Sequence, residues 1–232
     1  FVAGYLVLGI KKLADKLPES MEGIKPVLIY PLFGVLLIGV FMFAVNPTMA
    51  AINTGITGFL NSMGGSSKIL LGCIVAGMMS IDMGGPFNKA AYVFGTASIA
   101  SGNYDVMAAV MIGGMIPPLA VALATTFFKK KFTSEERKSG VVNYIMGLCF
   151  ITEGVIPFAA ADPLRVIPSC VAGSAVAGGL SMLFGCTLRA PHGGIFVFPV
   201  VGNVVGYLIA LAAGSLVGML LLGVLKKDKV EE

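Results

Sequence analysis

VVGNVVGYLIALAAGSLVGMLLLGVL, from Val200 to Leu225, carries no charged side chain and exceeds the roughly 20 residues an α-helix needs to cross the hydrocarbon of a bilayer. Pro26 to Val45 is likewise uncharged, and Tyr104 to Phe128 holds Asp105 alone. A chain that is 56% hydrophobic and 12% charged, with mean hydropathy +0.92, has lipid as its solvent. At 232 residues it is too short to wrap several such helices in a soluble shell. The expected class is all-α: a polytopic, multi-pass membrane protein whose helices are in places broken or re-entrant.

Phe1 to Ile10 opens inside an apolar run with no initiator Met and no basic stretch before it, unlike a signal peptide. The expectation is a fragment, residues 1–232 being the C-terminal portion of a membrane domain whose earlier helices are missing. Cys73, Cys149, Cys170 and Cys186 lie far apart among apolar neighbours, without metal-ligand spacing, and read as small core residues. Neither a metal site nor a cofactor is indicated.

The net charge of +4 does not describe a nucleic-acid surface, because the cations form short clusters at helix ends. Lys11, Lys12 and Lys16, then Lys129 to Lys131, then Lys226, Lys227 and Lys229 each follow an apolar segment, as cytoplasmic loops do. Pro26 to Val45 would then lead out and Tyr104 to Phe128 back. Between them, Asn46 to Gly65 repeats Met49, Ile52, Ile56, Phe59, Leu60 and Met63 at helical spacing, with Asn53 and Asn61 among them. This predicts an amphipathic helix along the outer interface. Thr133-Ser134-Glu135-Glu136 reads as a capping box that starts a helix running toward Cys149. Glu153 to Phe198 is expected to hold one full span and two segments that enter and leave the same face.

Apolar sequence is interrupted at Asp82-Met83-Gly84-Gly85-Pro86-Phe87-Asn88-Lys89, at Ile151 to Arg165 and at Arg189-Ala190-Pro191-His192-Gly193-Gly194. Pro and Gly free backbone groups that lipid cannot satisfy, so such breaks belong where protein or a wet cavity supplies partners, and in transporters they mark sites. They hold Asp82, Lys89, Glu153, Asp162, Arg165, Arg189 and His192, and an unpaired ion mid-bilayer costs about 2.5–3.5 kcal/mol. Asp162 and Arg165, three apart, either neutralise one another or serve a ligand. Lys89 and Asp82 have the same two readings, and Arg189 either snorkels or binds. Glu153 has no basic residue within a helical turn and is the leading candidate, followed by His192. A neutral polyol, which needs converging donors and acceptors, suits Glu153, Asn88, Asp82, Asp162 and His192. Gly214 and Gly218, four apart, suit helix packing. No nucleotide phosphate loop occurs.

Ile151-Thr152-Glu153-Gly154-Val155-Ile156-Pro157-Phe158 with Ala159 to Ser169 closely resembles the signature of fructose-family enzyme IIC subunits of the bacterial phosphoenolpyruvate-dependent sugar phosphotransferase system. Gly84 to Ala91 and Ala190 to Gly194 are similar to the same family's membrane motifs, in the same order. The resemblance implies group translocation across the bacterial cytoplasmic (inner) membrane. Sugar, fructose or a relative, is bound and then phosphorylated by a phosphocysteine on a IIB domain, fed by IIA, HPr and enzyme I; this chain lacks that donor residue. It also implies Glu153 as the group that holds the accepting hydroxyl and takes its proton, with His192 and Asn88 on other hydroxyls, and a homodimer. The alternative is an ion-coupled secondary transporter, in which Asp82, Asp162 or Glu153 would bind a proton or sodium ion.

Overall fold

The computed structural model describes residues 2–18, 21–62 and 68–229, and at 49, 52, 53, 56, 57 and 59–62 it describes the backbone alone. The chain divides into two compact units, 1–55 and 56–232.

In the first unit α1 (Val2–Ala14) is followed by a π-helical turn, Lys25–Ile29, that leads into α2 (Tyr30–Ser62). The wide turn suits two prolines, Pro26 within it and Pro31 just after it, neither of which has an N–H for the helical ladder. Val27, Leu32, Val35, Val40 and Phe43 are all exposed, the surface of a helix meant for lipid. The sequence divided this region into a span ending at Val45 and a separate interfacial helix. The backbone instead continues as one helix through Pro47 to Ser62, and at about 1.5 Å per residue it outruns the bilayer core. The side chains of Met49, Ile52, Asn53, Ile56, Phe59, Leu60 and Asn61, and all of Met63, lie outside what the structure describes, so the amphipathic face is not assigned.

The second unit is built around α5 (Asp105–Phe127), whose apolar window is 94% buried. Around it pack α3 (Lys68–Met78), α4 (Pro86–Ala100), α6 (Ser134–Leu148), α8 (Pro163–Leu183) and α9 (Val204–Leu225). On α9, Tyr207, Leu211, Gly214, Gly218 and Leu222 are buried while Val205, Ile209, Leu216 and Val224 are exposed, the helical alternation of a protein face and a lipid face. Gly214 and Gly218 permit the contact with α8, since a Cβ on Gly214 would lie 2.6 Å from the Gly173 carbonyl.

A buried pair of prolines interrupts α5. Pro117 cannot donate to the carbonyl of Gly113, four residues earlier. Ser174 on α8 supplies the missing donor, its hydroxyl 2.8 Å from Gly113 O and 2.5 Å from the Ser80 hydroxyl. Both serines are fully buried, and hydroxyls from neighbouring helices are how membrane proteins tolerate internal prolines.

Three segments enter the unit and turn back. From the Asp105 end of α5, where Lys68 pairs with Asp105 at 3.1 Å, α3 runs inward, turns at residues 79–85, and α4 returns. From the same end a hairpin of two short antiparallel strands, β1 (Thr187–Leu188) and β2 (Val201–Gly202), carries the loop with His192; Leu188 N–H donates to Tyr104 O at 2.9 Å. From the lysine-rich end α6 runs inward and α7 (Ile156–Ala161) returns. The expected single span between Glu153 and Phe198 is α8, and its two flanking segments come from opposite ends. Lys129 to Lys131 and Lys226 to Lys229 share one end: Lys131 pairs with Asp228 at 2.9 Å and Lys229 with Glu136 at 2.9 Å. The Thr133 and Glu136 capping box is formed in both directions.

Candidate functional site

The turn between α3 and α4 is closed by Asp82. Its Oδ2 accepts from the Phe87 amide at 2.6 Å and its Oδ1 from the Asn88 amide at 3.0 Å, satisfying orphan N–H groups of α4 that Gly85 at the N-cap has no side chain to reach. Met83 (φ 47°) and Gly84 (φ 117°) complete the turn in left-handed backbone. Asn88 is buried and donates Nδ2 to Met79 O at 2.8 Å, leaving its carboxamide oxygen as the acceptor. Of the two readings of Asp82 and Lys89, the local ion pair is not formed, because Asp82 spends its oxygens on backbone.

The second segment begins where α6 stops. Phe150 (φ 63°) takes the left-handed position usually given to glycine. The Ile151 amide donates to Met146 O at 2.9 Å and the Phe150 amide to Gly147 O at 3.2 Å, the paired bonds of a Schellman terminus. A bulky residue is uncommon in this conformation. Here the ring is held in place, packing on Gly114 of α5. Thr152 is buried, and its hydroxyl lies 3.5 Å from Glu153 Oε2. Glu153 opens a 3-10 turn, Glu153–Val155, and is exposed to the cavity.

The third segment is the His192 loop. Gly193 (φ 135°) and Gly194 (φ 57°) follow the histidine, and Gly194 sits on the Leu148 carbonyl so closely that no Cβ fits. His192 meets the Phe150 ring edge-on with centroids 5.1 Å apart, and Tyr92 lies 6.4 Å from the same ring. Phe150 thus joins the His192 loop to α4.

These segments enclose a cavity of about 340 Å³, with Asn88, Lys89, Tyr92, Thr152, Glu153 and His192 on its wall. The first unit holds a larger hollow of about 460 Å³, but its walls, Leu6, Gly9, Ile10 and Leu37 among them, are mainly apolar and bring no carboxylate or imidazole together. Chemistry therefore points to the smaller cavity, where a carboxylate, an imidazole, an amide and an ammonium face one space. Of the residues expected to serve ligand, Glu153, Asn88 and His192 are brought together, and Asp82 stands behind them as a cap. Asp162 and Arg165 are elsewhere: Arg165 Nη1 lies 3.0 and 3.1 Å from the two Asp162 oxygens. The ammonium of Lys226, 1% exposed, is 3.6 Å from Asp162 Oδ2 and 4.9 Å from the Phe132 ring centre. Arg189 stacks over Tyr104 at 4.8 Å. Sequence reasoning missed Tyr92 and Phe150 at the cavity, and read Lys226 as a helix-end cation without its pairing to Asp162. The spacing of Asn88, Lys89 and Tyr92, one helical turn, was the available signal for Tyr92.

The sequence model of the family described as phosphotransferase system, EIIC, matches residues 1–173. The chain belongs to that family. It is 53% identical over 99% of its length to the fructose permease IIC component of Bacillus amyloliquefaciens, of which it covers 75%. It is 52% identical, again over 99%, to the PTS system fructose-specific EIIABC component of Bacillus subtilis, of which it covers 36%. A similar level, 47% over 93% of the chain and 39% of the relative, holds for the fructose-specific EIIB'BC component of Escherichia coli. The chain thus spans between about a third and three quarters of these relatives. No solved structure matches it significantly. Family membership and, among the described residues, four helices long and apolar enough to span a bilayer make this EIIC protein a multi-pass component of the cytoplasmic membrane. The ion-coupled alternative is not favoured, since the family and the relatives are those of a phosphotransferase system; of its three candidate carboxylates, Asp82 and Asp162 are engaged by backbone amides and by Arg165 and Lys226.

Proposed function

We propose that this chain is the sugar-translocating part of a fructose permease, in which fructose or a close relative is held in the cavity of Asn88, Glu153 and His192 and phosphorylated there by a phosphocysteine on a IIB partner. The observation that carries the reading is the convergence of three motifs distant in sequence on one polar cavity within a membrane unit. The names of the relatives above supply the sugar. Glu153 positions the accepting hydroxyl and takes its proton, while Asn88 Oδ1 and the His192 ring orient other hydroxyls. Phosphoryl transfer needs alignment and charge control more than covalent help. One carboxylate on the acceptor side therefore meets the requirement, with IIA, HPr and enzyme I feeding the IIB domain. A homodimer in the lipid bilayer completes the proposal.

The test is uptake in cells lacking their own fructose permease but supplied with the full-length protein and its IIB partner, comparing wild type with Glu153→Gln. Sugar phosphate that depends on phosphoenolpyruvate and disappears in the variant is the expected result. Free sugar accumulating in wild type and lost with an ionophore would overturn the reading.

A further inference from the structure

Lys89 lines the cavity of Glu153, Asn88 and His192 and brings to it a full positive charge, which a neutral sugar does not call for. Among the described residues no carboxylate lies within ion-pair distance of it. Asp82, its neighbour across the turn, is committed to the amides of Phe87 and Asn88. That commitment also closes the N-terminus of α4 to any anionic ligand, so the helix end cannot neutralise negative charge in the cavity. Arg165 is held by Asp162 and Lys226 is buried against the same carboxylate, which takes both cations out of consideration. Among the described residues Lys89 is therefore the one permanently cationic side chain on the cavity wall, placed one residue after Asn88 on a helix whose start is pinned by Asp82.

We propose that Lys89 is a catalytic residue that binds the non-bridging oxygens of the phosphoryl group during transfer and of the sugar phosphate formed. The inference rests on the phosphotransferase reading above. In the step it serves, the sulfur–phosphorus bond of the partner's phosphocysteine breaks and a bond forms between phosphorus and the sugar oxygen. The hydroxyl proton passes to the Glu153 carboxylate, the cysteine leaves as thiolate, and nothing is oxidised or reduced. Charge gathers on the equatorial oxygens in the transition state, and a cation on the cavity wall stabilises that charge more than it stabilises the uncharged sugar. Glu153 and Lys89 then divide the work, one on the acceptor hydroxyl and one on the group being transferred.

The experiment uses the full-length permease with its phosphorylated IIB partner, as wild type, Lys89→Gln and Lys89→Arg. It measures equilibrium binding of fructose, inhibition by fructose 1-phosphate, and the rate of sugar phosphate formation. Lys89→Gln is expected to bind fructose within about twofold of wild type, to form product about 100-fold more slowly and to lose most of its affinity for the sugar phosphate, with Lys89→Arg recovering part of both. Retained fructose binding reports that the variant is folded; should Lys89→Gln fail to assemble, the charge-preserving Lys89→Arg carries the comparison. Equal losses of fructose and sugar-phosphate affinity, or an unchanged rate in Lys89→Gln, would overturn the proposal while leaving the phosphotransferase reading in place. A wild type that makes no sugar phosphate from the phosphorylated partner sinks both.

Discussion

A Cβ built on Gly84 would lie 3.0 Å from Glu153 Oε1, so the backbone of the α3–α4 turn forms one wall against the carboxylate proposed to hold the sugar. Gly84 has φ 117°, a conformation that costs any other residue energy. Gly84→Ala is therefore expected both to strain the turn and to push Glu153 from its place. A displacement on the ångström scale costs about 100-fold in rate at a positioned group. Sugar-phosphate formation by a variant that still elutes as a monodisperse protein in detergent checks this; wild-type turnover would show that the contact does not position Glu153.

Asp162 and Lys226 lie far apart in sequence and meet at 3.6 Å, and no hydrogen bond is formed by the ammonium. Removing the carboxylate leaves a buried cation with only the face of the Phe132 ring against it, so Asp162→Asn should destabilise the protein by about 3 kcal/mol. Adding Lys226→Met should restore much of that loss. Thermal unfolding in detergent of the two single variants and the double variant reads the coupling, and additive losses would refute it.

Ser174→Ala should orphan the Gly113 carbonyl that Pro117 has already deprived of its helical partner. The expected cost is about 1 kcal/mol, the scale of interhelical hydrogen bonds in membranes. A lowered melting temperature with sugar binding intact is the outcome that fits, and the same melting temperature as wild type would mean another donor reaches the carbonyl.

Glu136 ties α6 to the segment after α9. Burial pushes its carboxyl up, but hydrogen bonds from Lys229 and from the Thr133 amide outweigh burial and hold it below the ordinary glutamate value of 4.5. The folded state therefore binds this proton less readily than the unfolded chain. Its stabilising share is complete above pH 4.5 and is lost as pH falls through the lower folded-state value. The pair is partly exposed, so the share is under about 1 kcal/mol. Melting curves at neutral and acid pH should show Glu136→Gln losing less stability on acidification than wild type; equal slopes would contradict the assignment.

Local rules made several features legible. The Thr133 capping box needs only residues three apart, and the charge-free run from Val200 to Leu225 needs only the bilayer's thickness to be read as a span. Asp82 stood out in the sequence as a candidate ligand-binding ion but not as a cap, because its oxygens reach amides five and six residues on through a turn with two left-handed residues. The break assigned between Val45 and Asn46 follows polarity, whereas the backbone of α2 follows hydrogen bonding, which Asn46 and Pro47 do not stop.

The sequence by itself determined the membrane class, the places where helices break and the residue types held at each break, because these depend on hydropathy and on backbone chemistry within a few residues. Only the tertiary structure decided which breaks meet. It put Glu153, Asn88, Lys89 and His192 on one cavity, sent Asp162 to Lys226 instead, and gave Gly113 its donor from Ser174. Each of those choices depends on how re-entrant segments from the two ends pack around α5. That packing is set by close helix approach and shared hydrogen bonds between residues distant in sequence, which no local pattern encodes.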